Sequence, residues 1–248
     1  MNFKVFYADR GSLSEEEFES LAGSVTKELS QAINTLGRFG LERAASGGKA
    51  KYFGSMAEGA SIVATYFDTE DLLHVYLPVF QSNADLLPSV CIHELGHRHW
   101  YKNLNGSQRG MWNKKYVPAS QSTVDRIQRL MKGGKYKRYM AVVDEFTNPN
   151  ERLVCIHVVN ALIVNKYPIE LLPNLDVREH PATKEFCYGS KLYSLIPLVS
   201  AYARESDYED YAETFRAFIE GGGNLRAIRE ESTRTALTEL FKKVTFNA

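Results

Sequence analysis

Apolar positions in the first third of the chain change their period as the chain advances. Asn2 to Ala8 alternates apolar and polar residues, the two-residue repeat of a strand. Phe18, Leu21, Val25, Leu29 and Ile33 then recur at the spacing of a helix that faces a core. Ser12 or Ser14 can cap this helix, and Glu15, Glu16 and Glu17 complement the positive end of its dipole. Gly37 to Gly40 ends the run. Three short β-rich pieces follow: Lys51 to Phe53, Ser61 to Phe67 and Leu73 to Phe80. The last, LHVYLPVF, carries Pro78, which cannot donate to a ladder. It reads as an edge strand, able to take an extended peptide as an added strand.

Helical spacing returns over Asp85 to Tyr101, with Asn83 or Asp85 as the cap and Pro88 tolerated in the first turn. Arg98 to Tyr139 differs in kind, with eleven Lys or Arg residues against one acid, Asp125. Asn105-Gly106, Gly110 and Gly133-Gly134 interrupt it, so it reads as loop-rich. From Ala141 the pattern is mainly helical: Glu151 to Asn165, a stretch around Leu192 to Tyr202, Asp207 to Glu220, and Leu225 to Val244. A β-rich first third before a helical remainder points to an α+β fold with a small mixed or antiparallel sheet. No repeat or low-complexity linker divides the 248 residues. They read as one domain, 1–248, with a basic insertion over about 98–140.

Composition narrows the setting. Thirty basic and thirty acidic residues cancel, so overall charge points to no polyanionic partner. Within the basic insertion, GMWNKKY and KGGKYKRYM mix cations with aromatics, a pattern suited to nucleic acid or an acidic protein. A solvated insertion accounts for it more simply. The amino terminus has no basic stretch leading into an apolar run, and no window nears eighteen apolar residues. The expectation is a cytoplasmic protein with neither signal peptide nor membrane span. Cys91, Cys155 and Cys187 include no CxxC pair and read as free thiols in a reducing compartment.

Candidate chemistry concentrates in CIHELGHRHW, Cys91 to Trp100. His93 and His97 are four residues apart, so a helix aims both imidazoles at one ion, for which Zn²⁺ is the usual occupant. Glu94 points about 100° away, where it can take a proton from a water held by that ion. Gly96 costs a helix about 1 kcal/mol against Ala, which makes sense if another segment must come close. His99 falls on the opposite side and reads as a surface or supporting residue. For a third ligand, His74, His157 and His180 read as structural, and Glu145 and Glu151 sit in DEFTNPNER, a turn opening a helix. SAYARESDYEDYAETF is the better source. Tyr208, Tyr211, Ala212, Phe215 and Ile219 make its apolar stripe, beside a second stripe of Glu209, Glu213, Arg216 and Glu220. Ser206 with Glu209 also spells a capping box, in which Glu209 merely reaches back to the helix start.

HELGH, then a Tyr, six residues and E-D-Y-A-E-x-F, resembles the gluzincin metallopeptidases. Nearest in pattern are the anthrax lethal factor catalytic domain and the Pro-Pro endopeptidases. The resemblance implies a zincin-like domain and a peptide or protein substrate. It implies Zn²⁺ held by His93, His97 and Glu209, with Glu94 as general base and Tyr202 as a donor to the oxyanion. Glu213 becomes the residue that orients a ligand histidine. Only two short segments carry the resemblance, and more than a hundred residues separate His97 from Glu209, more than in those relatives. Two rivals stand beside it. One is a basic nucleic-acid- or protein-binding module with a structural or non-catalytic metal. The other is a peptide deformylase, whose cysteine ligand Cys91 is badly aimed to supply.

Overall fold

The computed structural model describes residues 3–55, 63–81, 86–115, 121–132, 142–149, 151–152, 154–155, 177–179, 186–188, 199–200, 202–204, 206–228 and 231–246. The chain divides into two compact units, Met1–Gly106 with Tyr211–Ala248, and Ser107–Asp210.

In the first unit, strand β1 (Lys4–Tyr7) leads to helix α1 (Glu15–Arg38). Ser14 and Glu17 close a capping box, each side chain bonding the other's backbone, and the three acids fill the first turn. The helix buries Phe18, Val25, Leu29 and Ile33 as its spacing predicts, with Ala22, Ala32 and Leu36 added. Strands β2 (Lys49–Phe53), β3 (Ala64–Phe67) and β4 (Leu72–Tyr76) follow. The four strands lie in the order β1-β2-β4-β3, with β1, β2 and β4 parallel and β3 antiparallel. The sheet is therefore mixed and small, and the other described elements are mostly helical, a mixed α/β architecture compatible with α+β.

Sheet alternation has a clear consequence. Ala50, Tyr52, Ala64, Tyr66, Leu73 and Val75 share one face by register and are all buried. The Tyr52 hydroxyl lies 3.1 Å from Thr26 Oγ1, which ties that face to α1. On the other face the half-buried His74 ring sits 4.8 Å from Phe53 and 4.3 Å from Phe67. The expected edge strand Leu73 to Phe80 needs correction. β4 ends at Tyr76 and is interior, between β2 and β3. Pro78 falls in a separate short helix, α2 (Leu77–Gln81), where its missing N–H breaks no ladder. The outer strand on that side is β3.

Helix α3 (Leu87–Arg98) carries the HELGH residues and runs into one wider π turn, His99–Asn103, closed by Leu104 N–H to the His99 carbonyl at 3.1 Å. Its N-cap is Leu86, with no side-chain cap bond, and the expected caps Asn83 and Asp85 lie outside the described residues. In the second unit, α4 (Gly106–Asn113) and α5 (Gln121–Lys132) occupy much of the segment expected to be loop-rich. Gly106 opens a helix there instead of breaking one, and Gly110 is carried inside it at the modest cost of a helical glycine. Strands β5 (Val177–Glu179) and β6 (Phe186–Tyr188) pair antiparallel, which the mainly helical reading from Ala141 does not foresee. The helix expected around Leu192 to Tyr202 falls mostly outside the described residues, as do His157 and His180.

Helix α6 (Asp207–Glu220) has the bounds that its stripes predict. Helix α7 (Glu231–Phe246) starts later than expected. Phe241 of α7 meets Tyr211, Phe215 and Phe218 of α6 at ring distances of 5.6, 6.2 and 4.9 Å, the aromatic centre of the first unit's core. Among the described residues no helix is long and apolar enough to cross a membrane.

Candidate metal centre

Two helices meet at a point where neither has a bulky side chain. A Cβ added to Gly96 would lie 3.0 Å from the Ala212 Cα and 3.2 Å from the Phe215 Cβ. Both are tighter than most Cβ contacts, and the absence of a side chain lets α3 and α6 approach closely there. The consequence appears one residue further along α6. Glu213, 3% exposed, places Oε1 2.9 Å from His93 Nδ1, while its Oε2 accepts from Arg216 at 2.9 Å.

With its hydrogen on Nδ1, toward this carboxylate, His93 would present the Nε2 lone pair to a metal. His97 Nε2 lies 3.0 Å from His93 Nε2, with the two rings nearly perpendicular at 88°. Two imidazole nitrogens on one tetrahedral Zn²⁺ stand about 3.3 Å apart, so the observed pair is close to a ligand geometry. His93, His97 and Glu209 each offer a ligand atom, and these atoms all lie within 4.8 Å of one another. Glu209 sits in the first turn of α6, where its backbone N–H donates to Ser206 Oγ at 3.1 Å. Ser206 thus caps the helix as the sequence pattern allows, and the Glu209 carboxylate is at the same time near the histidines.

Glu94 is 8% exposed and accepts the backbone N–H of Tyr66 on β3 at 2.7 Å. The strand itself is held down. Tyr66 O–H donates to Asp71 Oδ1 at 2.8 Å, and Arg98 grips the same carboxylate at 2.8 and 3.0 Å. Arg98 also donates to the Ala44 carbonyl at 2.9 Å. Burial alone would raise Asp71, but hydrogen bonds from Arg98 and Tyr66 hold its carboxyl below the usual value. Asp71 has φ +50, a left-handed conformation that Asp adopts more readily than most residues. The turn between β3 and β4 is therefore built to present this carboxylate to Arg98, the residue directly after His97.

His99 corrects its expected place. It is 4% exposed, with Nδ1 3.0 Å from the Tyr211 hydroxyl and its ring beside Tyr211 and Phe215. Burial, then the charges of Arg43 and Arg98, push it down to about 4. Spacing along α3 cannot reveal this, because the burial comes from α6. Tyr202 opens a 3-10 turn, Tyr202–Arg204, and is 53% exposed. Glu151 accepts from Thr123 at 3.1 Å, and Glu145 lends its backbone carbonyl to Arg126 at 2.7 Å. Cys91 is fully buried in α3, and burial pushes its thiol well above the ordinary range.

Sequence reasoning misses Tyr66, Asp71 and Arg98 around Glu94. It also misses Asn113 and Lys115, which touch the first turn of α6. Only Arg98 carries a signal, as a cation four residues after Glu94 on a helix that is otherwise buried. No protein-family model matches the chain, and neither the curated proteins nor the solved structures include a match.

Proposed function

We propose that the chain is a zinc-dependent metallopeptidase with a zincin-like catalytic domain, hydrolysing bonds in a peptide or protein. The observation that carries this reading is the convergence of His93, His97 and Glu209, with Glu213 fixed behind His93. Two imidazoles and one carboxylate match the three-ligand composition of catalytic zinc sites, in contrast to the four-ligand closed sites that are structural. The imidazole nitrogens differ from tetrahedral spacing by only about 0.3 Å, and a carboxylate behind a ligand histidine is the usual support. The gluzincin pattern of HExxH, Tyr and ExxxE assigns the same residues.

A bound Zn²⁺ supplies Lewis acidity and draws the pKa of water toward neutrality. Glu94 takes the proton of the attacking water and returns it to the leaving amine. Its hydrogen bond to the β3 backbone sets this base beside the outer strand, where an extended substrate would add as a further strand. Tyr202 would donate to the developing oxyanion, a contribution of about 2–4 kcal/mol.

Metal analysis with activity profiling on a peptide library tests the reading. Glu94→Gln should retain zinc while turnover falls by about 10²–10⁴-fold. Near-normal hydrolysis by that variant rules out the base. A purified protein without stoichiometric zinc, or full zinc retention in Glu209→Ala, rules out the site.

A further inference from the structure

The first turn of α6 is gripped by charges in a place where charge is costly. Asp210 is fully buried, and Lys115, 4% exposed, makes an ion pair with its Oδ2. The Lys115 ammonium also lies 3.7 Å from the centroid of the Trp112 ring, which is itself fully buried. One turn earlier, Asn113 donates to Asp207 Oδ2 at 3.1 Å. Lys115 stands at the positive end of the α6 dipole, where a cation is disfavoured. A buried ion pair also tends to stabilise no better than well-packed apolar residues of equal volume. Stability is therefore a poor reason for this arrangement, and geometry is a better one.

Asp207 and Asp210 are three residues apart, on one side of the helix. Two directional contacts on that side fix the rotation of the turn about its own axis. Glu209 lies between them in sequence and projects about 100° from Asp210. A carboxylate about 6 Å from the axis moves about 2 Å when the helix turns by 20°. Ligand distances are held to about 0.2 Å in metal sites. Apolar packing is non-directional, so it specifies such a rotation less sharply than a buried ion pair does.

We propose that Lys115 is a positioning residue for Glu209, its ion pair with Asp210 setting the rotation at which the Glu209 carboxylate reaches the metal. The proposal rests on Glu209 being a ligand, and the test separates the two.

Zinc affinity is measured by competition with a chelator for four proteins: wild type, Lys115→Met, Glu209→Ala and the double variant. Thermal unfolding of each metal-free protein is recorded alongside. Glu209→Ala should weaken zinc binding by about 100-fold or more, as loss of a direct ligand should exceed loss of a supporting residue. Lys115→Met should weaken it about tenfold where Glu209 is present and by less than about twofold where it is absent. An equal loss in both backgrounds, or no loss beside Glu209, overturns the positioning role. No change in Glu209→Ala itself removes the ligand assignment, and this inference with it. Should Lys115→Met fail to fold, Asp210→Ala is read in the same cycle, with the same outcomes deciding.

Discussion

The two stretches of α6 are held by opposite means. From Tyr211 to Phe218 the helix is gripped by aromatic and apolar surface, chiefly Phe241 of α7 and the seam with Gly96. From Asp207 to Asp210 it is gripped by buried polar contacts to Asn113 and Lys115. Apolar contact is non-directional and scales with area, so it fixes how deep a helix lies. Hydrogen bonds and ion pairs are directional, so they fix where a given side chain points. The polar first turn carries the candidate ligand Glu209, and the apolar stretch carries two buried polar exceptions, Glu213 beside His93 and the Tyr211 hydroxyl beside His99 and Thr245. Stability and aim are thus served by different turns of one helix.

The sharpest way to break this division is Phe215→Ala. Phe215 is fully buried among His99, Tyr211 and Phe241. The substitution should cost about 3–5 kcal/mol, read from the urea midpoint of the metal-free protein. Glu213→Gln should do the reverse. Zinc affinity should fall about 10–100-fold while the metal-free urea midpoint moves little. If Glu213→Gln unfolds the protein as readily as Phe215→Ala, the division between support of the fold and support of the metal is wrong.

Gly96→Ala sits between the two. The new methyl gains helix propensity worth about 1 kcal/mol but meets the Ala212 Cα at 3.0 Å, so the seam between the helices must give slightly. We expect a net loss of about 1–2 kcal/mol together with weaker zinc binding, because Glu213 withdraws from His93. A stabilised variant with unchanged affinity would show that the close approach is incidental.

The smallest effect concerns His99 and acid. Its pKa is depressed on folding from 6.5 to about 4, so the unfolded chain binds the proton more tightly. The stability this neutral histidine contributes is complete above about pH 6.5 and drains away as pH falls toward 4. Between pH 7 and 5.5 the loss is about 1 kcal/mol. Denaturant midpoints of the metal-free protein should decline over that range by this amount more than those of His99→Phe. Parallel declines would mean that His99 is protonated in the folded protein.

Several features were legible before any coordinates. The helices α1 and α6 follow from apolar spacing, and Ser14 is one of the two caps that the sequence offers for α1. Gly96, a poor helix residue inside HELGH, signals a close approach without saying what approaches. The strands are less legible than the helices. Leu73 to Phe80 is a single apolar run in sequence, but it splits into an interior strand and a short helix at the residue before Pro78. An apolar run does not report which strand pairs on which side. Lys115 looked like one more cation in a basic segment, and it is among the most buried charged groups described.

What the sequence determines by itself is local. Four-residue spacing makes His93 and His97 face one way on any α-helix, because that spacing follows from backbone geometry alone. It also makes Glu209, Glu213 and Arg216 neighbours on theirs. Only the tertiary structure decides which of these carboxylates stands behind His93, which comes near both imidazoles, and that His99 is core. It decides too that the outer strand beside Glu94 is β3. These outcomes depend on segments more than a hundred residues apart packing at one particular depth and rotation. That depth is set by small residues at Gly96 and Ala212. The rotation of the first turn is set by buried charges whose partners no periodicity announces.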